Sequence, residues 1–146
     1  MRIILSEDDE TPLGPVLHAG LEAFNAPFVG PHGWKPLRLM VFRDGEEAPA
    51  GGLLAQRYAA WLHVLLFWLP EDLRRGGVGR DLLRRAEEWA RAEGCIGCYL
   101  DTLSWQGRPF YEKQGYRLFA ELPDSPPGHS RFFMLKRFDG DAHVPA

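Results

Sequence analysis

The chain reads as an α/β protein with a mixed sheet of about seven strands. Three observations predict this. An apolar run from Trp61 to Leu69 reads as a strand buried on both faces. A glycine-rich turn, Arg74-Arg75-Gly76-Gly77-Val78-Gly79-Arg80, follows it directly. An amphipathic helix then runs to about Glu93, with Val78, Leu82, Leu83, Ala86, Trp89 and Ala90 on one face. At 146 residues the chain suits one domain with a real core. That domain is expected over residues 1–138, with a loose tail from 139 to 146.

Taken in order, Arg2 to Leu5 reads as a first strand. Thr11 and Pro12 suit the cap and first turn of a helix. Leu13, Val16, Leu17, Leu21 and Phe24 recur there at helical spacing. From Asn25 to Pro36 the breakers Pro27, Gly30, Pro31, Gly33 and Pro36 predict a loop or a short broken helix. Leu37 to Arg43 is the second strand, ended by the hairpin signal Asp44-Gly45. Gly51 to Tyr58 is the third, and Ala59-Ala60 a tight link to the fourth, Trp61 to Leu69. Arg84 with Glu88, and Glu87 with Arg91, fall four apart on the expected wet side of the long helix. Gly94 caps that helix. Ile96 to Thr102 is the fifth strand, and Arg108 to Gln114 a short helix opened near Pro109. Tyr116 to Leu122 and Arg131 to Phe138 are the last two strands. The order β-α-β-β-β-α-β-α-β-β makes the fourth and fifth strands parallel, joined by a helical crossover.

Charge and composition exclude several functions. The net charge of -3 argues against a nucleic-acid partner. No apolar run reaches membrane-spanning length. Met1 to Leu5 is too short for a secretory leader before Glu7-Asp8-Asp9-Glu10, so a cytoplasmic location is expected. Cys95-Ile96-Gly97-Cys98 follows a helix rather than opening one, and no second ligand pair accompanies it. It is expected to be two small buried residues, neither a redox pair nor a zinc site. No metal is expected.

The glycine turn is the chemical centre. The first N–H groups of a helix have no internal partner, the helix dipole adds positive charge there, and glycines let phosphate oxygens approach. There is no Gly-Lys-Ser or Gly-Lys-Thr, so the turn is not a Walker A loop.

Arg74-x-x-Gly77-x-Gly79 resembles the acetyl-CoA motif of the GCN5-related N-acetyltransferases, the GNAT superfamily. Phe110-Tyr111-Glu112-Lys113-Gln114-Gly115-Tyr116 resembles that family's downstream Phe-Tyr-x-Lys-x-Gly-Phe. The resemblance implies the GNAT fold, a mixed central sheet with helices on both faces, with the fourth and fifth strands splayed by a bulge. It implies that acetyl-CoA lies on Arg74, Arg75, Gly76, Gly77, Val78, Gly79 and Arg80, with backbone near Phe67, Trp68 and Leu69 meeting the pantetheine arm. Ser104 stands where many relatives carry an asparagine that helps hold the cofactor. Tyr111 falls on the family's general acid. Glu22, His63 and Asp101 are the candidates for the base that takes the amine proton. Trp34, Trp105, His129 and Arg131 have binding character for the acceptor. The implied function is transfer of an acetyl group from acetyl-CoA to a primary amine, of a small molecule in first place, by direct attack in a ternary complex. A coenzyme-A-binding module without turnover and a protein-amine acetyltransferase are the alternatives. Exposed strand edges leave room for a homodimer.

Overall fold

The computed structural model describes residues 1–140. The chain divides into two compact units, Met1–Gly33 and the remainder from Trp34. The first holds one helix, α1 (Leu13–Val29), none of whose residues is buried. The expected strand at Arg2–Leu5 does not form, since residues 1 to 8 have no regular structure. The expected breakers also act later than anticipated. Asn25 to Val29 stays helical with Pro27 inside, and the helix stops at Gly30 (φ 59°), whose N–H closes on the Ala26 carbonyl at 3.0 Å.

The second unit is a six-stranded sheet, one strand fewer than expected. Its strands are β1 (Lys35–Val41), β2 (Gly51–Tyr58), β3 (Trp61–Trp68), β4 (Gly97–Leu103), β5 (Arg117–Pro123) and β6 (Ser130–Arg137), in the order β1-β2-β3-β4-β6-β5. The other helices are α2 (Val78–Ala92) and α3 (Arg108–Lys113). Pro36 is tolerated because β1 is an edge strand. The β2–β3 hairpin turns on Ala59-Ala60, with Ala59 at φ 53°. Among the described residues only β3 and β4 pair in parallel, as the crossover requires.

The core lies between the sheet and α2. Leu53, Ala55, Leu62, Val64, Leu83, Ala86, Ala90, Cys98, Leu100 and Met134 form it, with Tyr111 and Tyr116 from the α3 region. Cys95 and Cys98 are buried free thiols. Burial pushes the Cys98 thiol up to about 12, so it is no nucleophile at neutral pH.

Two expectations about exposure are corrected. Glu87 is not on the wet side with Arg91. It is buried, accepts the Tyr116 hydroxyl at 2.9 Å, and pairs with Lys136 at 3.0 Å. Arg91 instead lies over the Phe138 ring. Four residues after Leu83, Glu87 shares its inward face, and two partners make its burial tolerable. The strand β3 is buried on both faces nowhere along its length. Leu62 and Val64 are buried, but Leu65, Leu66 and Trp68 are exposed. The reason is the site itself.

Candidate functional site

The strands β3 and β4 pair only at Trp61–Gly97, Leu62–Cys98 and His63–Tyr99. Beyond His63 the ladder ends, although both strands continue. On its other side β3 changes register against β2. Leu54 faces Leu66 while Ala55 faces Val64, so Leu65 is the extra residue of a bulge. A bulge bends its strand, and here it falls where β3 leaves β4. The result is a cleft of about 1170 Å³ at the carboxyl ends of the two parallel strands, the usual place for a ligand in such sheets. One wall is Val64 to Leu69 and another Leu100 to Leu103. The glycine turn, Trp105 to Gly107, Phe110, Tyr111 and Arg131 complete the lining.

The glycine turn lies at one end of the cleft. Gly77 has φ 84° and Arg75 φ 64°, which curl the chain into the start of α2. No side chain caps the helix, and its first backbone hydrogen bond runs from the Asp81 N–H to the Gly77 carbonyl at 2.9 Å. The amides of Gly76, Gly77, Val78, Gly79 and Arg80 thus find no acceptor among the described residues. A side chain at Gly76 would stand in open space, so the concave face of the turn is open. Arg74 anchors the turn, its Nε donating to the Leu69 carbonyl at 2.8 Å. Arg75 and Arg80 are exposed, with no hydrogen bond or ion pair to another side chain among the described residues.

Tyr111 stands on α3 among aromatic rings. Its ring centroid is 5.2 Å from that of Phe110, 5.8 Å from Tyr116 and 6.5 Å from Phe67. Its carbonyl accepts the N–H groups of Gln114 and Tyr116, both at 3.0 Å. Burial first, with the nearby Cys98 and Asp101 charges adding, holds its phenol above the ordinary tyrosine value. A phenol that keeps its proton and borders a cleft can donate it.

Of the candidate bases, Asp101 lines the cleft and is paired with Arg131. His63 does not line it. It is stacked on Tyr99 at 4.4 Å, on the sheet face opposite Leu62 and Val64, and burial lowers its pKa. Glu22 is exposed on α1, in the first unit. Ser104 does not line the cleft either. Its hydroxyl bonds to His129 Nδ1 at 2.9 Å and receives the Ser130 N–H. His129 in turn meets the edge of Trp105, a ring that does line the cleft. Trp34 is partly exposed and donates from Nε1 to Gln56 at 2.7 Å. Sequence reasoning missed Leu65, whose bulge only the register reveals, and Thr102, whose hydroxyl accepts the Gly107 N–H at 3.1 Å. It also missed that Asp101 and Arg131 form a pair. Their places late in one strand and early in another were the available signal.

The family model of the GNAT acetyltransferases matches residues 3–116. The chain belongs to the GNAT acetyltransferase family. It is 44% identical over 105 residues to a blasticidin-S acetyltransferase of Streptomyces morookaense, covering 70% of this chain and 77% of that one. It is 30% identical over 138 residues to the acetyltransferase Atu2258 of Agrobacterium fabrum, covering 94% of this chain and all of that one. The crystal structure of an acetyltransferase from Agrobacterium tumefaciens superposes with a TM-score of 0.84 at 30% identity, over 94% of this chain and 100% of that one. The parted strands, the bulge and the uncapped glycine turn are therefore those of a GNAT enzyme. Among the described residues no helix is long and apolar enough to cross a membrane, and no cluster of side chains suits a metal.

Proposed function

We propose that this GNAT enzyme moves the acetyl group of acetyl-CoA to a primary amine of a small molecule, by direct attack with both substrates bound. The coincidence of three features carries this reading. The β3–β4 ladder stops at His63–Tyr99, the bulge falls at Leu65, and the unpartnered amides of Gly76 to Arg80 open on the same cleft.

The residues fit the donor. A diphosphate suits five unpartnered amides at a helix start, flanked by the exposed arginines Arg75 and Arg80. A thioester arm suits the gap between the strands, where the β3 backbone from Leu65 to Leu69 has lost its β4 partner. Bound there, acetyl-CoA supplies an activated acyl group. A β3 N–H freed by the divergence would hold negative charge that develops on the acyl oxygen. Tyr111 gives its proton to the departing sulfur. Asp101 is the carboxylate within the cleft and faces the incoming amine. His63 shares the sheet face of Tyr99 and Asp101 but does not line the cleft, so it bears on the amine through the charge of Asp101. Ser104 acts on the cofactor only through the His129–Trp105 wall.

The resemblance to a blasticidin-S acetyltransferase supports a small-molecule antibiotic as the acceptor. The test is thiol release from acetyl-CoA with blasticidin S and a panel of aminoglycosides, diamines and peptide N-termini. Release with a small amine and none with peptides is expected. Acetyl-CoA binding without release from any amine would instead make the chain a coenzyme-A-binding module.

A further inference from the structure

The acceptor end of the cleft contains both charges. Arg131, at the start of β6, lies opposite Leu103 in the register, and Asp101 is two residues earlier on β4. The Arg131 Nη1 donates to Asp101 Oδ2, and both residues line the cleft. Neither is sealed off: their side chains are 37% and 26% exposed. A guanidinium offers five N–H groups. Only one arm of Arg131 is engaged, so among the described residues Nε and Nη2 have no acceptor. Among the described residues Asp101 likewise keeps Oδ1 without a donor. Asp101 is also close enough to Tyr111 for its charge to act on the phenol, so the pair lies beside the proposed acid.

We propose that the acceptor is an amino acid or an amino-acid-like molecule, carrying a carboxylate close to the amine that is acetylated. The free arm of Arg131 takes the carboxylate as a charge-assisted fork, and Asp101 takes the ammonium before it loses its proton. Because the two residues touch, the groups they hold are separated by only one or two carbons. Trp105, 54% exposed at the same mouth, favours a planar or aromatic substituent. The proton balance is simple. The ammonium gives one proton through Asp101 to solvent, the neutral amine forms the C–N bond as the C–S bond breaks, Tyr111 gives its proton to the sulfur, and the second proton shed by the nitrogen as it becomes an amide restores the phenol. This rests on the reading of the cleft as an acetyl-transfer site.

The test uses matched acceptors: phenylalanine, tryptophan and β-phenylalanine, each with its carboxamide. Thiol release gives kcat/KM for each, and a thermal shift with acetyl-CoA reports the donor site separately. At least one acid should exceed its carboxamide about tenfold or more, the worth of a charge-assisted hydrogen bond. In Arg131→Met that ratio should collapse toward one, and Arg131→Lys should keep part of it. Both members carry the amine, so the ratio is blind to what the substitution does to Asp101. Carboxamides used as well as acids, or an undiminished ratio in Arg131→Met, would overturn the proposal and leave acetyl transfer standing. So would acetyl-CoA binding with no thiol release from any acid. No thermal shift with acetyl-CoA and no release from any amine would overturn the cleft reading beneath it.

Discussion

Tyr111→Phe separates chemistry from folding in this site. The variant keeps the ring and its contacts with Phe110, Tyr116 and Phe67. It removes a hydroxyl that has no hydrogen-bond partner among the described residues, so folding stability should change by less than about 1 kcal/mol. The proton delivered to the leaving sulfur disappears with it. A positioned general acid is worth roughly a hundredfold to ten-thousandfold in rate, about 2.7–5.5 kcal/mol of barrier. Steady-state thiol release should show that fall in kcat, while calorimetric affinity for acetyl-CoA stays within about twofold. A stable variant with kcat within about threefold of the parent would remove Tyr111 from the mechanism. A parallel loss of affinity and stability would make it a core residue.

Three further outcomes follow from the same geometry. Glu87→Ala strands the Lys136 ammonium and the Tyr116 hydroxyl, and should cost about 2–4 kcal/mol by urea unfolding; with Lys136→Met added, the loss should be less than the sum, and additive losses would mean the pair is not coupled. A methyl at Gly52 would run into the Leu39 carbonyl oxygen, so Gly52→Ala should lower Tm clearly; an unchanged Tm would contradict the β1–β2 register. Stability should also fall in alkali. Cys98, Tyr111 and Tyr116 keep their protons in the fold beyond their ordinary values of 9.0 and 10.0. The unfolded chain gives up those protons first, so stability is full below about pH 9 and declines as pH rises through about 12; a urea midpoint that stays level over that range would show the three groups to be less buried than described.

The readable parts of the sequence were those where one physical signal acts alone. The period of α2, the Asp44-Gly45 and Ala59-Ala60 turns, and the order strand, glycine turn, helix were all visible. Local signals failed where a distant partner decides. Glu87 looked like a surface partner of Arg91 because Lys136, 49 residues away, cannot be seen from a helical wheel. The apolar run from Trp61 to Leu69 looked doubly buried, but the same side chains serve a core as far as Val64 and a cleft from Leu65. Nothing local marks that change, because the bulge exists only in the pairing with β2. Arg2 to Leu5 had the composition of a strand and forms none, because composition alone does not supply a hydrogen-bonded neighbour. Asp101 and Arg131 were each picked out, yet their pairing depends on β4 lying beside β6.

The central claim is that the open amides of the glycine turn and the parted ends of β3 and β4 form one binding surface. An amide-resolved NMR titration with acetyl-CoA tests it without any acceptor. The largest shifts should fall on Gly76, Gly77, Gly79 and Arg80 and on Leu65 to Leu69, saturating together. Shifts confined to other parts of the sheet, or saturation of the turn with no change along β3, would contradict it.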